Sequence, residues 1–140
     1  MVRPFIRKNV IVLAWLGIFA AQVTAQPLSM TSAIRFGDTG NDEGERIAVD
    51  AAGNVYITGT HSGPIDIDPG PGSVMIGGAG PFQAFVAKFS PSGTLIWAKN
   101  HVAGVANSYT LAVDAAGNVY TAGWFNGPCD FDPGPGTFSI

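Results

Sequence analysis

Charged residues are scarce in this sequence: they make up 12% of its 140 positions, and only seven are Lys or Arg. Nucleic-acid-binding domains show a basic patch, and disordered tails are usually rich in charge and poor in aromatic residues. The composition argues against both classes. Cysteine is scarcer still, because Cys129 is alone. An intrachain disulfide is excluded. We expect a buried thiol, with an intermolecular bridge or a reactive thiol as the alternative.

Glycine and proline are abundant, with 19 and 10 residues respectively. Together with frequent Val, Ile, Tyr and Phe, they indicate many short strands joined by tight turns. The sequence therefore predicts an all-β fold, and its length allows one ordinary domain.

The N-terminus has the layout of a targeting segment. Three basic residues within the first eight positions precede an apolar run over 10–21, and Val23 and Ala25 occupy the −3 and −1 positions of a signal-peptidase site. This order predicts a secretory signal peptide over 1–25, followed by a linker over 26–31. An uncleaved anchor is the alternative, although twelve residues are too few to span about 30 Å of hydrocarbon.

Removal of the predicted signal peptide leaves an acidic chain. Four Lys+Arg and all ten Asp+Glu remain, a formal charge of −6. We expect a secreted protein, whether extracellular, on the cell surface or periplasmic. After cleavage, we expect no membrane insertion and no nucleic-acid partner.

An internal repeat organises the rest of the chain. Residues 46–76 align without a gap on 110–140, at an offset of 64, and 19 of the 31 positions are identical. Self-similarity at a fixed period marks a repeat architecture, in which one unit cannot bury its apolar face alone. We assign the repeats to 32–140, the first over about 37–100 and a second, partial one over about 101–140.

Each repeat is predicted to consist of strands. Residues 50–54 and 90–93 have the composition of hairpin turns, in which Asp or Ser accepts backbone N–H groups and Gly adopts the left-handed conformation. The predicted strands are 33–36, 47–49, 55–58, 65–68, 73–76, 84–89 and 94–98. Four or five short antiparallel strands are typical of one four-stranded blade of a β-propeller.

The repeat also resembles a known family. The segments AVDAAGNVYITG at 48–59, DIDPG at 66–70 and AFVAKFSPSGTLIWAK at 84–99 are similar to the bacterial β-propeller repeat called SBBP. The resemblance covers about 32–140. Gln83 is a departure, because the family often has Asp before the Ala-Phe pair. The resemblance implies a propeller blade and export, and it implies no activity and no catalytic residues.

The sequence contains about one and a half repeats, which corresponds to about one and a half blades. The second copy lacks counterparts of the strands at 84–89 and 94–98, whereas a closed ring needs typically 4–8 blades. We therefore expect a fragment, with self-assembly from several chains or a short open array as alternatives.

Two pairs of aspartates are the candidate metal ligands. Asp66 and Asp68 stand two residues apart, so both carboxylates point to one face of a strand, and Asp130 and Asp132 repeat the arrangement. Carboxylates beside a Gly-rich backbone are ligands that calcium accepts. The spacing is not that of an EF-hand, and turn capping explains the same pattern. Calcium is therefore the one cofactor that the sequence suggests.

The sequence contains no recognisable catalytic motif. Identical copies of an acid pair do not suit a general acid and base of different pKa, and His61 and His101 have no metal-ligand spacing. Trp97, Trp124 and Phe125 are candidates for stacking on sugars, or are core residues.

We interpret the protein as a secreted, non-catalytic propeller repeat with a structural or binding role and an unidentified protein or carbohydrate partner. One alternative is a fragment of an extracellular propeller enzyme acting on polysaccharide. Another is a calcium-stiffened surface or adhesive module.

Overall fold

The computed structural model describes residues 33–132 and 134–139, so the predicted signal peptide (1–25) and linker (26–31) lie outside the described residues. Every regular element in those ranges is a strand: β1 (Asp42–Val49), β2 (Val55–His61), β3 (Ile65–Asp66), β4 (Met75–Ile76), β5 (Gln83–Phe89), β6 (Leu95–Val113) and β7 (Val119–Asp130). The predicted all-β class is confirmed. In the described part of the chain, no helix is long and apolar enough to cross a membrane.

The strands form one antiparallel sheet of order β1-β2-β5-β6-β7 and a small hairpin of β3 with β4. The long strand β6 changes partner along its length. It pairs with β5 up to His101 and with β7 from Val102 onward. Strands β1, β2, β5 and the first part of β6 therefore make a four-stranded antiparallel blade, and the rest of β6 forms a second hairpin with β7. The predicted boundary between the repeats falls within β6, where the partner changes.

The two long hairpins repeat the same backbone irregularity. In β1–β2 the register shifts between Gly44 and Arg46, and in β6–β7 it shifts between Ser108 and Thr110, which lie 64 residues later. A β-bulge of this kind inserts an extra residue and bends its strand. Gly59 lies opposite the first bulge, where an added Cβ would collide with the carbonyl oxygen of Glu43. The period seen in the sequence is thus a period of the backbone.

The predicted turn at 50–54 is confirmed, and one carboxylate organises it. Oδ1 of Asp50 accepts the N–H groups of Ala52 (3.0 Å) and Asn54 (2.9 Å). Its Oδ2 accepts Asn54 Nδ2 (2.8 Å) and the hydroxyl of Tyr56 (3.2 Å). Asp114 makes the same four bonds in the second hairpin. The repeated aspartate is therefore the structural centre of each turn.

Strand β5 lies at the centre of the core. It is buried on both faces of the sheet except at Lys88. On one face the β3 segment packs onto it, and the fully buried cluster comprises Ile65, Ile67, Phe85, Ala87 and Phe89. On the other face Tyr56 is buried, with Trp97 edge-on at 6.1 Å between ring centroids. Burial on both faces is what stacked blades require.

One predicted strand is absent and several others differ in extent. Those predicted over 47–49 and 55–58 are longer, as β1 and β2, and those over 65–68 and 73–76 are shorter, as β3 and β4. Residues 33–36 form no strand. Instead Phe36 lies over the core, stacked on Phe89 at 5.6 Å and edge-on to Phe85 at 5.9 Å between ring centroids. The strand predicted over 94–98 is the start of β6, which continues to Val113. It continues because β7 takes over pairing where β5 stops, so its backbone groups still find partners.

The close approach of Gly59 to the backbone of Glu43 predicts that a methyl group at Gly59 would lower stability. Gly59→Ala places a Cβ against the carbonyl oxygen of Glu43, which is held by β-pairing and cannot move freely. We expect a loss of about 1–3 kcal/mol in the free energy of unfolding, the usual range for overpacking. Urea unfolding followed by circular dichroism measures it.

Gly44, paired with Gly59, is the matched control. A Cβ on Gly44 meets no atom within 4 Å. Gly44→Ala should therefore change stability by less than about 0.5 kcal/mol. Equal losses in the two variants would contradict this account of the bulge.

The Asp50 turn predicts a loss of stability in acid. Hydrogen bonds, foremost that from the side chain of Asn54, lower the pKa of Asp50 from 3.8 to about 2. Because the folded state favours the ionised form, this stabilisation is complete above about pH 4 and is lost as pH falls towards about 2. Asp50→Asn should be less stable than wild type at pH 6, and the difference should shrink by pH 2. Asp38→Asn, which removes the same charge from an exposed loop, should show no such convergence in the same unfolding series.

Candidate functional site

The two predicted aspartate pairs have the same structure in both repeats. Oδ1 of Asp66 accepts the N–H groups of Asp68 (3.1 Å) and Val74 (2.9 Å), and Oδ1 of Asp68 accepts that of Gly70 (2.9 Å). Asp130 and Asp132 make the corresponding bonds in the second repeat, at 2.7–3.0 Å. One oxygen of each carboxylate is therefore committed to holding the Pro-Gly-Pro-Gly loop.

These bonds also set the charge of the loop. Backbone N–H groups, that of Val74 foremost, hold the pKa of Asp66 below its ordinary value. The N–H of Asp132 acts first in the same direction on Asp130. Both carboxylates are thus ionised at neutral pH. Within residues 33–132 and 134–139, no three His, Cys, Asp or Glu side chains converge as a metal-binding group.

His61, which the sequence leaves without a metal-ligand partner, lies in a buried polar network. Its Nδ1 is 2.6 Å from the carbonyl oxygen of Gly63, and its Nε2 is 2.7 Å from Oδ1 of Asn100. Asn100 in turn donates to Oε1 of Gln83 at 2.7 Å. The three side chains join neighbouring strands β2, β5 and β6 at one end of the blade, which is a structural role.

A cleft lies where the blade meets the second hairpin. Its volume is about 280 Å³, and it is bounded by β5, by β6 on both sides of its change of partner, by β7 and by the segment after β7. The lining residues used below are His101, Asn107, Ser108, Trp124, Cys129 and Phe131. The sequence did not indicate His101, Asn107 or Ser108 as part of a binding site.

The cleft contains a polar atom that has no partner. Oγ of Ser108, a residue that is 4% exposed, neither donates nor accepts a hydrogen bond within the described residues. Oδ1 of Asn107 is also buried and unpaired, but the side chains of neighbouring strand residues lie on opposite faces of β6. An unpaired buried polar group costs about 1–3 kcal/mol. Such groups in a cavity are the usual mark of a position that a ligand or water occupies.

The ionisable groups of the cleft are held in their neutral forms. Burial lowers the pKa of His101. Burial, and then the negative charge of Asp130, raises the pKa of the Cys129 thiol, which is itself buried as predicted. Among the described residues that line the cleft there is no Lys, Arg, Asp or Glu. The cleft is therefore electrically neutral and suits uncharged ligands.

The aromatic residues predicted for sugar stacking fall into two places. Trp124 and Phe125 line the cleft and are 44% and 42% exposed. The indole N–H of Trp124 donates to the hydroxyl of Tyr109 at 2.6 Å, which fixes the ring, and Phe125 packs edge-on against Phe131 at 5.1 Å. Trp97 lines a different, more apolar cavity of about 490 Å³ between the blade and β7.

A signal for the cleft residues was present in the sequence, but only as differences between the repeats. At the offset of 64, the counterparts of His101, Asn107 and Ser108 are Gly37, Glu43 and Gly44. These are positions where the second copy departs from the first. Residues shared by both copies are structural here, whereas the cleft residues are peculiar to one copy.

Strand β7 carries the second exposed feature of this region. It pairs with β6, and apart from a bridge between Asp130 and Ser139 no other described strand pairs with it. Tyr120 on this strand is 58% exposed, whereas its counterpart Tyr56 is 1% exposed, although both hydroxyls bond to their turn aspartates at 3.2 Å. The same residue is thus core in one repeat and surface in the other.

Comparison with known proteins supports the repeat. Residues 33–65 match the family model described as SBBP, beta-propeller repeat. Comparisons with curated proteins and with solved structures gave no significant match. The matched segment contains β1, β2, the Asp50 turn and the first residue of β3. The resemblance predicted from the sequence is supported over this segment: residues 33–65 are similar to the SBBP β-propeller repeat, and they lie within an all-strand antiparallel fold.

Proposed function

We propose that this repeat protein is a secreted, non-catalytic binding module that engages a protein partner by strand pairing at β7. The observation that carries the proposal is the contrast between Tyr56, buried at 1% exposure, and Tyr120, exposed at 58%. Strands with unpaired edges and apolar faces readily accept another strand.

The first repeat supplies the template for the partner strand. Strand β5 pairs antiparallel with β2, with Lys88 opposite Tyr56. The ammonium of Lys88 lies 4.8 Å from the centroid of the Tyr56 ring and 3.6 Å from Oδ2 of Asp50. The outer edge of β7 presents the equivalent pair, Tyr120 and Asp114, already joined by a hydrogen bond.

The partner that binds at the outer edge of β7 is therefore a hairpin with side chains like those of β5 and β6. Another repeat of this type provides such a hairpin. It carries alternating Phe and small residues, and one Lys placed opposite Tyr120. Charge favours this choice, since the chain after residue 25 has a formal charge of −6 and Asp114 offers a carboxylate. A cation over an aromatic face adds about 0.5–1 kcal/mol at exposed sites.

We also propose that the protein is non-catalytic and that it is secreted. The repeated acids Asp50, Asp66 and Asp68 accept hydrogen bonds that hold turns, which supports a structural role for them. Export is supported by the basic, apolar and small-residue order of 1–25, with the exported chain beginning at Gln26.

A peptide added in trans tests the strand-pairing proposal. We expect a fluorescein-labelled peptide of residues 83–101 to bind saturably to the exported chain in fluorescence anisotropy. The peptide with Lys88→Met should bind about two- to fivefold more weakly, because it loses the cation above Tyr120 and beside Asp114.

Lys99→Met in the same peptide is the matched control. It removes the same charge from an exposed position opposite Val86 and should leave affinity within twofold. Absence of binding, or equal losses for the two peptides, would refute the partner strand described here. A chain that forms only edge-to-edge dimers, with no peptide binding, would do the same.

For the aspartate pairs, we propose a turn role in which calcium contributes little. One oxygen of each carboxylate already accepts backbone N–H groups, whereas calcium takes six to eight oxygens. A two-carboxylate loop should bind on the order of 10⁻⁴–10⁻³ M at best, as weak extracellular sites do.

A melting experiment decides between the turn role and the calcium-stiffened alternative. The exported chain is heated with and without about 5 mM calcium, a level above that weak range. We expect Tm to change by less than about 2 °C, because one oxygen of each carboxylate is already held by backbone N–H groups. A site with a Kd of about 10⁻⁴–10⁻³ M would instead add about 1–2 kcal/mol at this concentration and raise Tm by more than that. A larger rise in Tm that disappears when Asp66, Asp68, Asp130 and Asp132 are all changed to Asn would establish calcium binding instead.

A further inference from the structure

We propose that the cleft lined by His101, Ser108 and Phe125 is a binding site for a neutral, hydroxyl-rich small molecule of the size of one sugar residue. This site is separate from the edge of β7 proposed above for a protein partner, and it does not depend on that proposal. It combines an unpaired buried hydroxyl group, a neutral lining and an exposed aromatic ring.

The size of the cleft sets the scale of the ligand. A volume of about 280 Å³ holds about nine water molecules at liquid density. That space accommodates one six-membered sugar ring with its hydroxyl groups, but is small for a drug-sized ligand, whose pockets span about 300–1,000 Å³.

The unpaired hydroxyl group specifies hydrogen bonding. Oγ of Ser108 can donate and accept, yet it has no partner within the described residues. A ligand hydroxyl group is its complement, because it also donates and accepts. A purely apolar ligand would leave Oγ unpaired, which disfavours that class.

The lining excludes charge. The described lining residues contain no Lys, Arg, Asp or Glu, and the thiol of Cys129 and the imidazole of His101 are held in their neutral forms by burial. A charged ligand would lose its hydration without gaining a counter-charge. Neutral sugars are therefore favoured over sugar acids and amino sugars.

The aromatic lining supplies the remaining interaction. Phe125 is 42% exposed, and because it pairs with Ala106 in the register of β6 with β7, it shares a face of the hairpin with Ser108. Its ring packs edge-on against Phe131 at 5.1 Å between centroids, which restrains it. A restrained ring loses little conformational entropy when the apolar face of a sugar packs on it. Ser108 and Phe125 are then the residues that set ligand orientation.

The test uses the exported chain, in the oligomeric state in which it purifies, and saturation-transfer NMR. The probes are D-glucose, D-galactose, D-mannose and N-acetyl-D-glucosamine, with glucuronic acid and glucosamine as charged counterparts. We expect saturable binding of at least one neutral sugar, with a Kd on the order of 1 mM. The charged counterparts should bind at least tenfold more weakly.

Two variants connect binding to the cleft. Ser108→Ala should weaken binding about three- to tenfold, while leaving Tm unchanged or raised, because the hydroxyl it removes is buried and unpaired. Phe125→Leu, on the same face of the hairpin as Ser108, should weaken binding by a similar factor. Ser92→Ala, which removes a hydroxyl from the exposed β5–β6 turn, should leave binding unchanged.

Each remaining outcome overturns the proposal. No saturable binding by any neutral sugar would show that the cleft holds solvent only. Equal binding of charged and neutral probes would contradict the neutral lining. Binding that neither Ser108→Ala nor Phe125→Leu weakens would place the sugar elsewhere. A lowered Tm for Ser108→Ala without a change in binding would make that hydroxyl structural.

Discussion

The pairing of β5 with β2 is the interaction on which burial in this protein depends. Strand β5 places Phe85 and Phe89 against the β3 segment on one face, and Lys88 over Tyr56 on the other. Where this pairing exists, Tyr56 is core. At Tyr120, which has no such strand beside it in the described chain, the same side chain is exposed. One strand therefore converts a hairpin into a blade, because it covers both an edge and a face.

The parts of the fold that could be predicted from the sequence are those fixed by local contacts. The Asp50 turn needs only groups within six residues, all present in the string DAAGNVY, and Gly53 takes the left-handed conformation that the turn requires, at φ +83°. The offset of 64 then carried the whole turn onto Asp114. The strand predicted over 84–89 is likewise present, as β5.

The parts that could not be predicted depend on where distant strands meet. Continuity of β6 follows from the arrival of β7 as its second partner, which no local pattern encodes. The cleft exists only because His101 and Ser108 lie on either side of that change of partner. Whether the hydroxyl of Ser108 has a partner is likewise a three-dimensional property. For the aspartate pairs, the sequence left ligand and turn roles open, and only the structure shows which N–H groups reach Asp66 and Asp130.

The positions that repeat and the positions that differ carry different kinds of chemistry. A carboxylate that must accept several fixed N–H groups has one workable place in each turn, so it recurs with the turn, as Asp50 and Asp114 do. The proposed ligand site is not constrained in this way. It lies among residues that differ between the two copies of the repeat. In this chain, the polar residues of the cleft all belong to that second group.

The two proposed interactions are physically coupled through β7. In the first repeat, β5 places Phe85 opposite Gly59 and Ala84 opposite Thr60. A strand docked on β7 in that register would lie beside Gly123 and Trp124, both of which line the cleft. It would withdraw the cleft further from water, and hydrogen bonds strengthen as the local dielectric falls. Strand docking should therefore tighten binding of a neutral ligand, and by linkage the ligand should tighten docking by the same factor.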